Sequence, residues 1–122
     1  MPQPLDAYRP HIESLPGSIA AYRVASGEPQ VLIPFHRLEV ITIAEAAVLA
    51  KRTRRTLRGW CIVQNLGRRI GGQWAVSRVA LTMFLESDGD ALRAYLRGDR
   101  QSDFVVAYFE RCGVPLLRRV AT

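Results

Sequence analysis

A chain of 122 residues, 48% of them apolar, holds enough material for one small core with a few peripheral elements, so one domain with appendages is expected. The formal net charge of +6 is unevenly spread: residues 1–45 carry three Arg against five acids (net −2), 86–110 three against six (net −3), 46–85 eight cations and no acid (net +8), and 111–122 a further +3. The opening MPQPLDAYRP lacks the apolar stretch of a signal sequence, and no apolar run approaches the ~18 residues of a membrane span, which excludes a membrane partner and predicts a cytoplasmic protein.

Pro2, Pro4, Pro10, Pro16, Gly17, Gly27 and Pro29 break up the first thirty residues, and an extended N-terminal segment over 1–40 is expected. VLIPFHRLEVI, residues 31–41, is rich in β-branched and aromatic types and reads as a strand, with Pro34 restricting it to an edge or interrupting it. Thr42 opens a helix to about Ala50: T-I-A-E has capping-box spacing, with Glu45 placed to return a bond, and Ile43, Ala46, Ala47 and Ala50 form a face for a second helix. That second helix starts at Thr53 as N-cap, with Leu57, Trp60, Cys61 and Gln64 on one stripe and Arg54, Arg55, Arg58 and Gly59 opposite.

GRRIGGQWAV, residues 67–76, places β-type residues on both sides of Gly71-Gly72 and predicts a hairpin. Ser77 caps a third helix whose Val79, Ala80, Leu81, Phe84 and Leu85 close over Leu57 and Trp60. Beyond it, 88–96 and 103–112 both read as helices, with Gly113 as the stop. Phe104, Val105, Tyr108 and Phe109 line one side of the last helix, a face that either packs back on residues 31–41 or meets a second copy; self-association through these C-terminal helices is the favoured expectation. Cys61 and Cys112, 51 positions apart, read as reduced, buried thiols.

The order helix, helix, hairpin, helix over residues 41–85 resembles the small winged helix-turn-helix domains of phage-type excisionases and MerR-superfamily proteins. The matching pieces are TIAEAA, T-x-x-T-L-R-x-W from Thr53, RRIGGQW, and S-R-x-A-L-x-x-F-L from Ser77. The resemblance implies a mainly α fold with a small β wing; residues 86–122 lie outside the match and read as a C-terminal helical segment. It also implies binding to double-stranded DNA, with the second helix reading base edges and the wing at the minor groove or backbone. The implied contacts are Arg52, Thr53, Arg54, Arg55 and Arg58 on the helix, and Arg68, Arg69 and Gln73 on the wing. Trp74 matches a buried family position. Two roles fit equally: a recombination directionality factor working beside a site-specific recombinase, or a small transcriptional regulator. Gly59 departs from the pattern, which usually has a polar helix former there. Ile62 and Val63 leave an apolar edge open to a thymine methyl, another subunit or the chain's other segments.

A charge run alone is usually a solvated surface, and a protein-interaction module with an incidental basic patch is the competing reading. Enzymatic readings fare worse. GRRIGG lacks the Lys-Ser/Thr ending of a phosphate-binding loop, and ESDGD has Leu92 where a calcium loop needs an oxygen ligand. His11 and His36 have no Cys or second His at zinc spacing. No catalysis, metal or cofactor is expected.

Overall fold

The structure, a computed structural model, describes residues 28–116. The N-terminal segment is therefore seen only from Glu28, and the expectation of extended chain before it, with His11, lies outside the described residues. The described chain folds as five helices and one three-stranded antiparallel sheet: β1 (Val40–Ile41), α1 (Ile43–Ala50), α2 (Arg54–Val63), β2 (Gly67–Ile70), β3 (Gln73–Ser77), α3 (Arg78–Leu85), α4 (Gly89–Leu96) and α5 (Asp103–Arg111). Among the described residues, no helix is long and apolar enough to cross a membrane.

Local chemistry explains the boundaries. Thr42 and Glu45 form the full capping box at α1, the Thr42 Oγ1 accepting from the Glu45 amide at 3.0 Å and the Glu45 carboxylate from the Thr42 amide at 2.8 Å. Lys51 closes α1 in the left-handed region, and only Lys51, Arg52 and Thr53 separate it from α2. Thr53 caps α2 by accepting from the Thr56 amide, and Ser77 caps α3 by accepting from the Ala80 amide at 3.0 Å. Gly71 and Gly72 hold φ of 60° and 83°, the two positive values that a tight I′ hairpin turn requires. Gly67 serves differently: a Cβ there would stand 2.3 Å from the Ala75 carbonyl oxygen, so only glycine lets β2 close against β3.

β3 lies between β1 and β2, with Val40 opposite Ser77 and Arg69 opposite Trp74. Only Val40 and Ile41 of the strand expected over 31–41 pair with the sheet. The remainder cannot: Pro34 has no amide to give a ladder, and Leu32 sits at a φ of 62°, outside the β region. Instead Gln30, Val31 and Leu32 turn into the interior and are buried.

α3 is the central helix, burying Val79, Ala80, Leu81 and Met83 against α1, β3, α4 and α5. The sequence pattern predicts Leu85, and not Met83, on this face. In the structure Met83, four positions from Val79, is inward, and Leu85 is exposed.

One apolar cluster runs from Val31 to Val114, so no core boundary falls at residue 85. The apolar face of α5 is covered by the chain itself. Val105, Tyr108 and Phe109 are buried against α3 and α4, the Phe109 ring lies 5.9 Å from that of Tyr95, and the Tyr108 hydroxyl donates to Asp88 Oδ2 at 2.8 Å. The exposed apolar face that motivated self-association is thus absent here, apart from Phe104.

A buried polar cluster ties the first described segment to the last helices. Glu39 is 2% exposed and its Oε2 accepts from the Ser77 hydroxyl at 2.6 Å and from the Tyr95 hydroxyl. The Tyr95 oxygen in turn accepts from the Leu32 amide at 2.9 Å. Arg100 lies 3.9 Å over the Tyr95 ring and donates to the carbonyls of Gln30, Ile33 and Tyr95. Burial raises the Glu39 carboxyl above its ordinary range, against the opposing pull of the Ser77 and Tyr95 hydrogen bonds and the charges of Arg100 and His36.

Candidate functional site

α2 is amphipathic as its sequence period requires, with Leu57 and Cys61 buried and Arg54, Arg55 and Arg58 exposed. Trp60 is half-buried, its ring edge-on to Phe84 at a centroid distance of 4.8 Å, which makes it a packing residue at the margin of the core. Burial pushes the Cys61 thiol up to about 11, so it stays protonated at neutral pH and is no nucleophile.

The hairpin β2–β3 turns towards the same side of α2. Arg54 and Arg58, one helical turn apart, face Arg69, Gln73 and Trp74 across a groove of about 420 Å³, whose other wall is Thr42, Ile43 and Ala44 at the start of α1. No carboxylate lines it. Among the described residues, neither Arg54, Arg55 nor Arg58 has an ion-pair or hydrogen-bond partner, so the guanidinium groups are unspent. Arg69 is held rather than free: it donates to the Gly72 carbonyl at 2.9 Å, and its guanidinium carbon lies 5.8 Å from the Trp74 ring centroid.

Of the eight residues the sequence singles out, this groove collects Arg54, Arg58, Arg69 and Gln73. Arg55 is exposed on the neighbouring, outward side of α2. Thr53 is at the surface, engaged in its own helix cap and in a hydroxyl contact to Thr56 at 3.0 Å. Arg52 lies apart: it donates to the Lys51 carbonyl and lines a second groove of about 540 Å³ with Trp60, Val63, Phe84, Leu92 and Leu96.

Arg68 lies outside this groove. Its Nε donates to the Val31 carbonyl at 2.9 Å and its Nη2 reaches the Pro29 carbonyl at 3.5 Å, which makes it a half-buried strap on the 29–31 segment. Adjacent residues in a strand point to opposite faces, so the pleat that sends Arg69 to the groove must send Arg68 the other way. Arg68→Ala is expected to lower stability by about 1.5–3 kcal/mol, the range for a hydrogen bond from a charged group. Arg69→Ala, which gives up only a solvent-exposed hydrogen bond to the Gly72 carbonyl, should cost less, under about 1 kcal/mol. Thermal melts of the two variants check this pairing, and equal melting temperatures would contradict it.

Trp74 is half-buried and packs against the core as expected, and its remaining surface lines the groove beside Arg69. A two-residue turn at 71–72 fixes Arg69 opposite Trp74, so that register was available from the sequence. The lining by Thr42, Ile43 and Ala44 was not, because it depends on how α1 meets the hairpin.

Gly59 also stands out. It lies mid-helix without a positive φ, where glycine costs roughly 0.8–1 kcal/mol relative to alanine, and a Cβ built on it has nothing within 4 Å.

No family model matches the sequence, and no curated protein or solved structure matches it.

Proposed function

We infer that this protein binds double-stranded DNA sequence-specifically, as a winged helix-turn-helix in which α2 enters the major groove and the β2–β3 hairpin is the wing. One observation carries the reading: Arg54 and Arg58 from α2 and Arg69 and Gln73 from the hairpin converge on one acid-free groove. Two separate elements would not gather uncompensated guanidinium groups for the sake of the fold, since like charges repel and none of these is buried. Guanidinium groups suit the task, matching phosphate oxygens and the O6/N7 edge of guanine with paired donors. The helix pair with its three-residue turn supports the docking mode, α1 crossing the backbone while α2 reads. Recombination directionality and transcriptional regulation both use such an interface, with a recombinase as the partner in the first case.

The test is salt dependence. With Arg54, Arg55, Arg58 and Arg69 on phosphates, log K should fall with log salt at a slope of about −3 to −4, at ~0.9 per contact. Anisotropy titrations of the full chain on duplex DNA at several salt concentrations measure it. A flat response, or no binding at low salt, overturns the reading and favours a protein-interaction module.

A further inference from the structure

We propose that Gly59 and Ile62 form the point of closest approach between α2 and the duplex, an apolar notch that receives the C5-methyl group of a thymine. The inference rests on the DNA-binding reading and adds a base preference to it.

Gly59 stands two residues after Leu57 and two before Cys61, both buried, so it lies about 160–200° around the helix from each. It is therefore on the outward face, where its small surface is partly exposed among longer side chains. On that face its neighbours are Arg55, one turn earlier, and Ile62, three positions later. Ile62 is 64% exposed, and no described part of the chain covers it.

Nothing inside the protein asks for a glycine here. Its backbone is in an ordinary helical region, and a Cβ would meet no atom within 4 Å. Gly67 makes the contrast, because there the packing of two strands leaves no room for a side chain. A helix weakened on its outward face, with no internal reason, is what an external surface pressed against that face would require. The exposed isoleucine beside it selects the kind of surface. The flanking Arg54, Arg55 and Arg58, with no acid on α2, call for a polyanion, and the apolar group that a polyanionic duplex offers in its major groove is the thymine methyl. A lipid surface would demand a broader apolar face, and Arg55 interrupts this one.

The experiment uses the full chain. Selection from a random duplex library yields the preferred site, and each thymine in it is then replaced in turn by uracil, which lacks only the C5-methyl. One such replacement should lower wild-type affinity about fourfold, the equivalent of one buried methylene. Ile62→Ala should bind the thymine and uracil sites equally. Gly59→Ala should raise the melting temperature by about 3–6 °C, since alanine is the better helix former, and yet weaken binding about tenfold because the added methyl holds the helix off. Unchanged affinity in Gly59→Ala together with indifference to uracil at every position overturns this inference alone. Absence of wild-type binding to any duplex overturns the DNA-binding reading and this inference with it.

Discussion

Truncation after Glu86 is expected to leave a chain that no longer unfolds in one cooperative transition. The deletion removes α4 and α5, and with them the fully buried Ala91, Tyr95 and Val105 and the nearly buried Phe109. It strips from α3 two of the four elements, α1, β3, α4 and α5, against which its apolar residues are buried. It also orphans the polar cluster, because Glu39 and the Leu32 amide both bond to the Tyr95 hydroxyl. Losing one large aromatic from a core costs about 3–5 kcal/mol, and whole domains are stable by only about 5–15 kcal/mol, so deleting two packed helices exceeds the margin. Circular dichroism melts of both chains provide the measurement. A truncated chain with a sharp transition near the wild-type temperature would show that residues 41–85 are autonomous.

Glu39→Ala is expected to destabilise the protein by about 2–4 kcal/mol, because the Ser77 and Tyr95 hydroxyls lose their buried acceptor and each unsatisfied donor costs about 1–3 kcal/mol. The same cap would suffer, since the Ser77 hydroxyl that donates to Glu39 also accepts from the first turn of α3. Glu39→Gln keeps one oxygen for both donors and carries no charge, so its cost at neutral pH should be smaller. The two forms differ in their pH dependence. Burial raises the folded carboxyl above its unfolded value of about 4.3, so in the window between the two the folded state binds more protons than the unfolded one. The Glu39 contribution is therefore most favourable below the unfolded value and declines as pH rises through the folded one. Denaturant unfolding at a series of pH values should show wild type gaining on Glu39→Gln as pH falls from neutral towards 4.5. Parallel stability curves for the two proteins would contradict this account.

These two results depend on contacts that span the chain, and that dependence separates what could be read in the sequence from what could not. Thr42 with Glu45, Thr53 with Thr56 and Ser77 with Ala80 are partners three residues apart, so the starts of α1, α2 and α3 are written in short words. Gly71-Gly72 likewise fixes its hairpin by backbone freedom alone. The arginine face of α2 followed from the period of Leu57 and Cys61. The sequence by itself thus determined the helices, the caps of α1 to α3, the hairpin and the charged side of α2, because each depends on neighbours within one or two turns.

Other features were decided only by the tertiary structure. Arg68 and Arg69 look alike in a sequence, but the strand pleat gives one to the Val31 carbonyl and the other to the groove. Nothing local to Glu39 marks it as buried, yet Tyr95, 56 positions away, meets it in the core. The aromatic face of α5 carries no mark of whether its cover comes from the same chain or another. Residues 31–39 have strand composition, but a positive φ at Leu32 and the interior places of Val31 and Leu32 turn them into a buried loop. The physical reason is common to all four. A side chain's partner across the fold is set by which faces pack together, and that choice minimises exposed apolar surface over the whole molecule rather than over any window of sequence.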